Sequence, residues 1–203
     1  MVNITEKLLK QINEYNIKYN LAVDSKLIEV VINFIMEKHK DQRRYSGEPY
    51  YYHPIEVALI VMNYFFDTET IIAALLHDIV EDTNFSLNQI NFLFGQEVAL
   101  LIDQLTKLDN NAVLKLKLSK EENVCKFINL NKNNKKVFAI KLSDRLHNMR
   151  TIEYLPIAKQ KKIALETLQL FIPIARYTGM TQIELELHEL VVKVLSKNIE
   201  DNL

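Results

Sequence analysis

The sequence predicts an all-α protein with a single domain, and three observations support this prediction. The chain has 203 residues, the length of one ordinary domain with its own hydrophobic core. It contains only 3 Gly and 4 Pro, too few for the many turns of a β-sandwich or a β-barrel. Apolar residues recur with helical spacing along most of the chain, and no alternation typical of a strand is convincing.

The first helices are predicted from their caps. Asp24 and Ser25 can cap a helix that runs to about Lys40. Its predicted apolar stripe consists of Leu27, Val30, Val31, Phe34 and Ile35. Asp67 or Thr68 can cap a later helix with a strongly apolar sequence, Ile71, Ile72, Leu75 and Leu76.

Between these helices, residues 40–53 read as an ordered loop, because Gly47, Pro49 and three consecutive tyrosines interrupt the pattern. Pro54 suits the first turn of the helix that follows. Ser86 and Gln89 form a capping box, and Gly95 ends that helix. Further helices are predicted near 96–106, 120–130, 135–153, 158–178 and 182–196.

Charge and hydropathy restrict the classes of partner. The net charge of −1 gives no general attraction to nucleic acid or to a membrane, although residues 115–162 carry 13 Lys and Arg against 4 Asp and Glu. That stretch could attract a compact polyanion such as a nucleotide, or form ordinary solvated helix faces. Cys125 is the single cysteine, and no apolar run reaches the roughly 18 residues that cross a bilayer. We therefore expect a cytoplasmic protein without nucleic-acid or membrane partners.

Four residues with chemical potential follow one apolar helix: His77, Asp78, Glu81 and Asp82. On a continuous helix they would share less than half of the surface. Their carboxylates would repel one another, and the negative end of the helix dipole disfavours them further. A divalent cation would relieve this repulsion. The alternative is a solvated acidic helix end, since a His-Asp pair alone is a weak signal.

A second polar stripe is predicted in residues 141–152, where Asp144, Asn148 and Thr151 fall on one helix face. The opposite face is apolar and suits the core: Phe138, Leu142, Leu146, Met149 and Ile152. Flanking arginines 145 and 150 could serve the site or pair with surface acids. His147 lies off the stripe and is as compatible with a structural role as with a functional one.

The loop contributes a third set of candidates. His53 precedes Pro54, which favours an extended backbone and suits a ligand presented into a cleft, although a buried structural histidine is equally compatible with the pattern. Arg43 and Arg44 stand among tyrosines, and arginine can stack on a base or pair with phosphate.

Together these residues resemble the HD metal-dependent phosphohydrolases, whose four-ligand pattern is matched by His53, His77, Asp78 and Asp144. The resemblance to the hydrolase domain of RelA/SpoT alarmone proteins is closer and extends from about residue 25 to about residue 190. It is carried, in order, by HKDQRRYSGEPYYYHP, HDIVEDT, TKL, KLSDRLHNMRTI and ETLQLFIPIARYTGM.

The resemblance implies a Mn²⁺-dependent 3′-pyrophosphohydrolase that converts ppGpp or pppGpp to GDP or GTP and pyrophosphate. It implies catalytic roles for Glu81 and Asp82. The implied metal ligands are His53, His77, Asp78 and Asp144. The implied substrate contacts are Arg44, Ser46, Asn148 and Thr151. Two imidazoles and two carboxylates suit Mn²⁺ or Fe²⁺ better than a metal that prefers thiolates.

Two positions depart from the family pattern. Tyr45 stands where a lysine is common, and it could stack on guanine without supplying charge. Cys125 stands where an arginine is common. Because the sequence ends near residue 203, we expect a hydrolase-only form or a fragment of a longer protein. Two alternatives remain: an HD phosphohydrolase for another nucleotide, and a metal-binding regulatory module with weak activity.

Overall fold

The computed structural model describes residues 3–110, 124–125, 128–129 and 134–200. Within these ranges the chain is helical with connecting loops and forms no strand, which confirms the all-α prediction. The helix predicted near 120–130 lies largely outside the described residues. No helix in the described ranges is long and apolar enough to cross a bilayer. The chain divides into two compact units, Met1–Lys107 and Leu108–Leu203.

In the first unit, α1 and α2 pack against two short, strongly buried helices, α3 and α4. α4 packs against α2 and α3, while α1 covers both α2 and α3. α1 was not predicted from the sequence, although its buried residues recur every four positions at Ile4, Leu8 and Ile12. The helices are α1 (Ile4–Tyr19), α2 (Ser25–Lys38), α3 (Tyr52–Val61), α4 (Thr68–Leu75), α5 (Ile79–Asp82), α6 (Leu87–Phe94) and α7 (Gln96–Asn110).

Local capping fixes where these helices begin. The Asp24 carboxylate accepts the backbone N–H groups of Lys26 and Leu27, and the Asp67 carboxylate accepts that of Thr70. The capping box of Ser86 and Gln89 is formed, and Gly95 follows the end of α6 with φ +90°. These predictions are confirmed because a cap bonds only to backbone groups within the next three residues.

The apolar stripe of α2 differs from the predicted one. The buried residues are Ile28, Val31, Ile32 and Ile35. Val30 is 58% exposed, so its predicted place in the stripe is wrong. The sequence of α2 is apolar around much of the helix, and the packing of α1 and α4 selects the buried side.

The second unit is built around its last helix. α11 packs against α8, α9 and α10. Bounds agree with the predicted helices near 135–153, 158–178 and 182–196, except that the middle one is interrupted. The elements are α8 (Lys135–Arg150), a 3₁₀ turn (Ile152–Tyr154), α9 (Ile157–Glu166), a π-helical turn (Thr167–Phe171), α10 (Ile172–Thr178) and α11 (Thr181–Glu200).

The π-helical turn aligns two side chains that an α-helix would separate. The backbone N–H of Ile172 donates to the carbonyl of Thr167, five residues earlier. On an α-helix, Glu166 and Phe171 would point about 140° apart. Here both reach Arg145: the guanidinium lies 2.8 Å from the Glu166 carboxylate, and its carbon lies 3.9 Å from the centre of the Phe171 ring. The turn therefore gives Arg145 an ion pair and a cation–π contact at once.

Candidate metal centre

His53 is placed by the turn that opens α3. Its backbone N–H donates to the carbonyl of Tyr50 at 3.0 Å, and the helix begins at Tyr52. The predicted extended backbone at His53 is therefore wrong, because a proline in the first turn of a helix is tolerated. The imidazole is buried, at 2% exposure.

His77 lies where the apolar helix stops. α4 ends at Leu75 and α5 begins at Ile79, so the continuous helix predicted through residues 77–82 is wrong. The Nδ1–H of His77 donates to the Ala74 carbonyl at 2.8 Å. Carbonyls in the last turn of a helix lack intrahelical partners, and the imidazole satisfies one of them while the chain turns away.

This hydrogen bond determines which nitrogen of His77 can bind a ligand. A carbonyl only accepts hydrogen bonds, so Nδ1 carries the proton and Nε2 of the neutral ring presents a lone pair. That Nε2 lies 3.1 Å from Oδ2 of Asp78, and Nε2 of His53 lies 3.7 Å from the same oxygen. A lone pair facing a carboxylate is repulsive unless the ring gains a second proton or a cation is bound. Nε2 of each histidine and Oδ2 of Asp78 therefore suit a shared divalent ion as ligand atoms.

Tyr50 contacts this group and was not predicted as a site residue. Its hydroxyl donates to Oδ2 of Asp78 at 2.6 Å, and its ring stacks on His39 with 4.8 Å between centres. Burial, followed by the charge of the Asp78 carboxylate, raises the pKa of Tyr50 far above its ordinary value, so the phenol stays protonated. The sequence signal was available: Tyr50 lies one helical turn before His53.

The two acidic residues of α5, Glu81 and Asp82, are both exposed. The backbone carbonyl of Asp82 accepts the side-chain amide of Gln42 at 3.1 Å. Gln42 also bonds His39 at 2.7 Å, so α5 is tied to the start of the 40–53 loop. The carboxylates of α5 are therefore held by ordered backbone and open to water.

The loop forms a tight turn that presents Tyr45. The N–H of Gly47 donates to the carbonyl of Arg44 at 2.9 Å, and Gly47 adopts φ +86°, a conformation that favours glycine. Tyr45 is 66% exposed in this turn. The Ser46 hydroxyl donates to the carboxylate of Glu48 at 3.1 Å, so Ser46 also has a role within the loop.

In the second unit, α8 carries the predicted polar stripe. Asp144 is 8% exposed and accepts the Asn148 amide at 2.6 Å, while Nζ of Lys141 lies 3.3 Å from its other oxygen. The Thr151 hydroxyl donates to the carbonyl of His147 at 3.1 Å. The predicted apolar face is buried: Phe138, Leu142, Leu146, Met149 and Ile152.

The two arginines that flank the polar stripe of α8, Arg145 and Arg150, pair with acidic side chains. Arg145 bonds Glu166, and Arg150 makes two hydrogen bonds to the Glu186 carboxylate. The interpretation that they pair with acidic residues is therefore confirmed.

Three buried residues of the chain, His53, His77 and Asp144, carry ligand atoms of the kind that could hold a metal ion.

A family model for the HD domain matches residues 32–181, most of the chain. The chain belongs to the HD domain family. This match confirms the resemblance to the HD family, and similarity to a ppGpp pyrophosphohydrolase and to a SpoT ortholog confirms the closer resemblance to RelA/SpoT proteins.

One relative is a probable guanosine-3′,5′-bis(diphosphate) 3′-pyrophosphohydrolase of Mycoplasma genitalium, 42% identical over 170 residues, covering 81% of this chain and 24% of the relative. Another is the GTP pyrophosphokinase rsh of Brucella melitensis, 37% identical over 179 residues, with 88% and 24% covered. The HD domain chain thus spans about a quarter of the length of these curated relatives.

A solved structure with a similar fold is that of a metazoan ortholog of SpoT, which hydrolyzes ppGpp and plays a role in starvation responses. The TM-score is 0.66 and the sequences are 28% identical. The match covers 85% of this chain and 97% of the solved chain, so nearly all of the solved chain resembles this HD domain.

Proposed function

We propose that this HD domain is a divalent-metal-dependent hydrolase that removes pyrophosphate from the 3′ position of ppGpp and pppGpp. The single observation that carries the proposal is the His77–Asp78 arrangement, in which Nε2 of the imidazole and Oδ2 of the carboxylate lie 3.1 Å apart and suit a shared cation. Support for the substrate comes from the Mycoplasma relative and from the SpoT ortholog that hydrolyzes ppGpp.

The proposed metal ligands are His53, His77, Asp78 and Asp144, and the proposed ion is Mn²⁺, with Fe²⁺ as an alternative. We also propose that residues 1–203 work as one HD hydrolase domain, a view supported by the family model, which spans residues from both compact units. A divalent ion held by these donors would lower the pKa of a bound water and would polarise a phosphoryl oxygen.

The proposed catalytic residues are Glu81 and Asp82. Their carboxylates are exposed and can therefore reach water, which they would orient or deprotonate. Attack of that water at phosphorus breaks the bond to O3′. The elements of water are added across that bond, so the nucleotide leaves as GDP or GTP and the second product is pyrophosphate.

The proposed substrate contacts lie on two segments. The first is the turn that contains Arg44, Tyr45 and Ser46, where the exposed Tyr45 ring offers a stacking surface for guanine and the arginine a partner for phosphate. The second is α8, where Asn148 and Thr151 lie on the face of Asp144.

The test is to incubate the purified chain with ppGpp and with pppGpp in Mn²⁺ and to follow pyrophosphate and GDP or GTP. Activity should require Mn²⁺ and disappear with a chelator, and an Asp78→Asn variant should be inactive because a ligand is lost. An Asp103→Asn variant is the matched control, because Asp103 pairs with Lys107 on α7 instead.

Hydrolysis of a different nucleotide without activity on ppGpp would contradict the proposed substrate while leaving the metal chemistry intact. Metal binding without hydrolysis of any nucleotide would instead favour a regulatory module.

A further inference from the structure

The 40–53 loop delivers one side chain onto a proposed metal ligand. The Tyr50 hydroxyl donates to Oδ2 of Asp78 at 2.6 Å, a short bond typical of a hydroxyl on an ionised carboxylate. The same oxygen is the one that faces Nε2 of both His53 and His77. The phenol therefore touches the carboxylate atom closest to both imidazoles.

The ring of Tyr50 is held from two sides. It stacks on the buried His39 with 4.8 Å between centres, and it meets His53 edge to face at 6.1 Å. His39 is itself bonded to Gln42, whose amide reaches the Asp82 carbonyl. The ring of Tyr50 is thus stacked on a neighbour that is itself fixed, while its hydroxyl lies on Asp78.

The orientation of the Asp78 side chain is not set by a helix cap. Asp78 immediately precedes α5, but its side chain makes no capping hydrogen bond to that helix. A carboxylate in this position has several rotamers, and only some direct Oδ2 toward the imidazoles. Outer partners that orient a ligating carboxylate have a large influence on metal affinity.

We propose that Tyr50 is a positioning residue that holds Asp78 in the orientation required to bind the metal ion. This inference deepens the proposed function and rests on it, since it assigns to the loop tyrosine the task of preparing a ligand. In this role Tyr50 acts through Asp78 and is not itself a ligand of the ion.

The test is the Mn²⁺ affinity of Tyr50→Phe, which removes one hydroxyl and keeps the ring. Titration of the intact chain, with free Mn²⁺ followed by electron paramagnetic resonance, should show binding weakened by about 10- to 100-fold. The matched control is Tyr52→Phe, which removes the hydroxyl of a neighbouring tyrosine whose ring packs on Tyr51 and should leave the affinity unchanged.

Circular dichroism of the metal-free variants separates positioning from folding. Tyr50→Phe with a native spectrum and weakened Mn²⁺ binding supports the inference. An affinity within twofold of wild type overturns it, as does a Tyr50→Phe chain that fails to fold without metal. Wild-type protein that binds no Mn²⁺ overturns the proposed function together with this inference, whereas equal binding by wild type and Tyr50→Phe overturns the inference alone.

Discussion

At the scale of a single residue, His77 shows how one hydrogen bond sets the chemistry of a ring. The Ala74 carbonyl fixes the proton on Nδ1, and Nε2 is thereby committed to the side where Asp78 lies. The hydrogen bond at the end of α4 therefore also orients the ring of a proposed metal ligand. The acidic residues of α5 are exposed, which suits a different role, the handling of water.

Replacing Glu81 by Gln tests that separation of roles. The change keeps the shape of the side chain and removes a base, so we expect turnover of ppGpp to fall by about 10²–10⁴-fold while Mn²⁺ remains bound. Steady-state kinetics and metal analysis on the same sample measure both quantities. Glu37→Gln is the control, since Glu37 is exposed on α2 beside Lys40. Loss of Mn²⁺ from the Glu81 variant would instead make Glu81 a ligand.

Tyr45 is one of the two positions at which the sequence is expected to depart from the family pattern. If its exposed ring stacks on guanine, Tyr45→Ala should raise KM for ppGpp by roughly 5- to 150-fold, corresponding to about 1–3 kcal/mol for one stacked base. Tyr45→Lys should keep an affinity close to wild type, because a charge replaces the stacking surface. The measurement is KM for ppGpp in the two variants. An unchanged KM for Tyr45→Ala would show that Tyr45 does not contact the substrate.

At the scale of an element, the π-helical turn between α9 and α10 has a clear structural use. Its five-residue hydrogen bond brings Glu166 and Phe171 onto Arg145, the residue next to Asp144 on α8. The side chains of Arg145 and Glu166 are only 14% and 22% exposed, whereas those of Arg150 and Glu186 are 40% and 37% exposed. The two ion pairs therefore differ in burial, and Arg145 adds a cation–π contact to its pair.

This difference predicts unequal stability losses. Glu166→Gln leaves a largely buried guanidinium with a weaker partner and should lower the free energy of unfolding by about 1–3 kcal/mol. Glu186→Gln weakens an exposed pair and should cost about 0–1 kcal/mol. Urea denaturation of the two variants provides the comparison. Equal losses of unfolding free energy would show that the ion pair at the π-helical turn stabilises the fold no more than the exposed pair does.

At the scale of the whole molecule, the proposed ion would connect metal binding to folding. Any ligand that binds only the folded chain stabilises it, and at a concentration 100 times its Kd the gain is about 2.7 kcal/mol. Nε2 of His77 faces a carboxylate oxygen of Asp78 at 3.1 Å, an arrangement that a bound cation would stabilise, so the metal-free protein should be the less stable form.

We therefore expect near-saturating Mn²⁺ to raise the melting temperature by about 5–10 °C and a chelator to reverse the shift. Asp144→Ala should abolish the shift because it removes a proposed ligand. Glu153→Ala, which removes an exposed carboxylate from the same unit, should retain it. Thermal unfolding followed by circular dichroism measures all of these. An Mn²⁺-induced shift that persists in Asp144→Ala would show that the ligand assignment is wrong.

The sequence by itself determined the features whose causes are local or are contained in a motif. Caps such as Asp24 and the Ser86–Gln89 box were predictable because each bonds only to its own first helical turn. The polar stripe of α8 was predictable because helical spacing alone places Asn148 beside Asp144. The family resemblance followed from several motifs in a fixed order.

Only the tertiary structure decided the features that depend on partners distant in sequence. The exposed side of α2 depends on the packing of α1 and α4, so Val30 could not be placed from its own neighbours. The chain leaves α4 before His77, and Asp78 then meets Tyr50, 28 residues earlier. Periodicity describes one helix at a time and contains no information about such a contact. The hydroxyl of Tyr50 reaches Asp78 because the folded loop brings the two together.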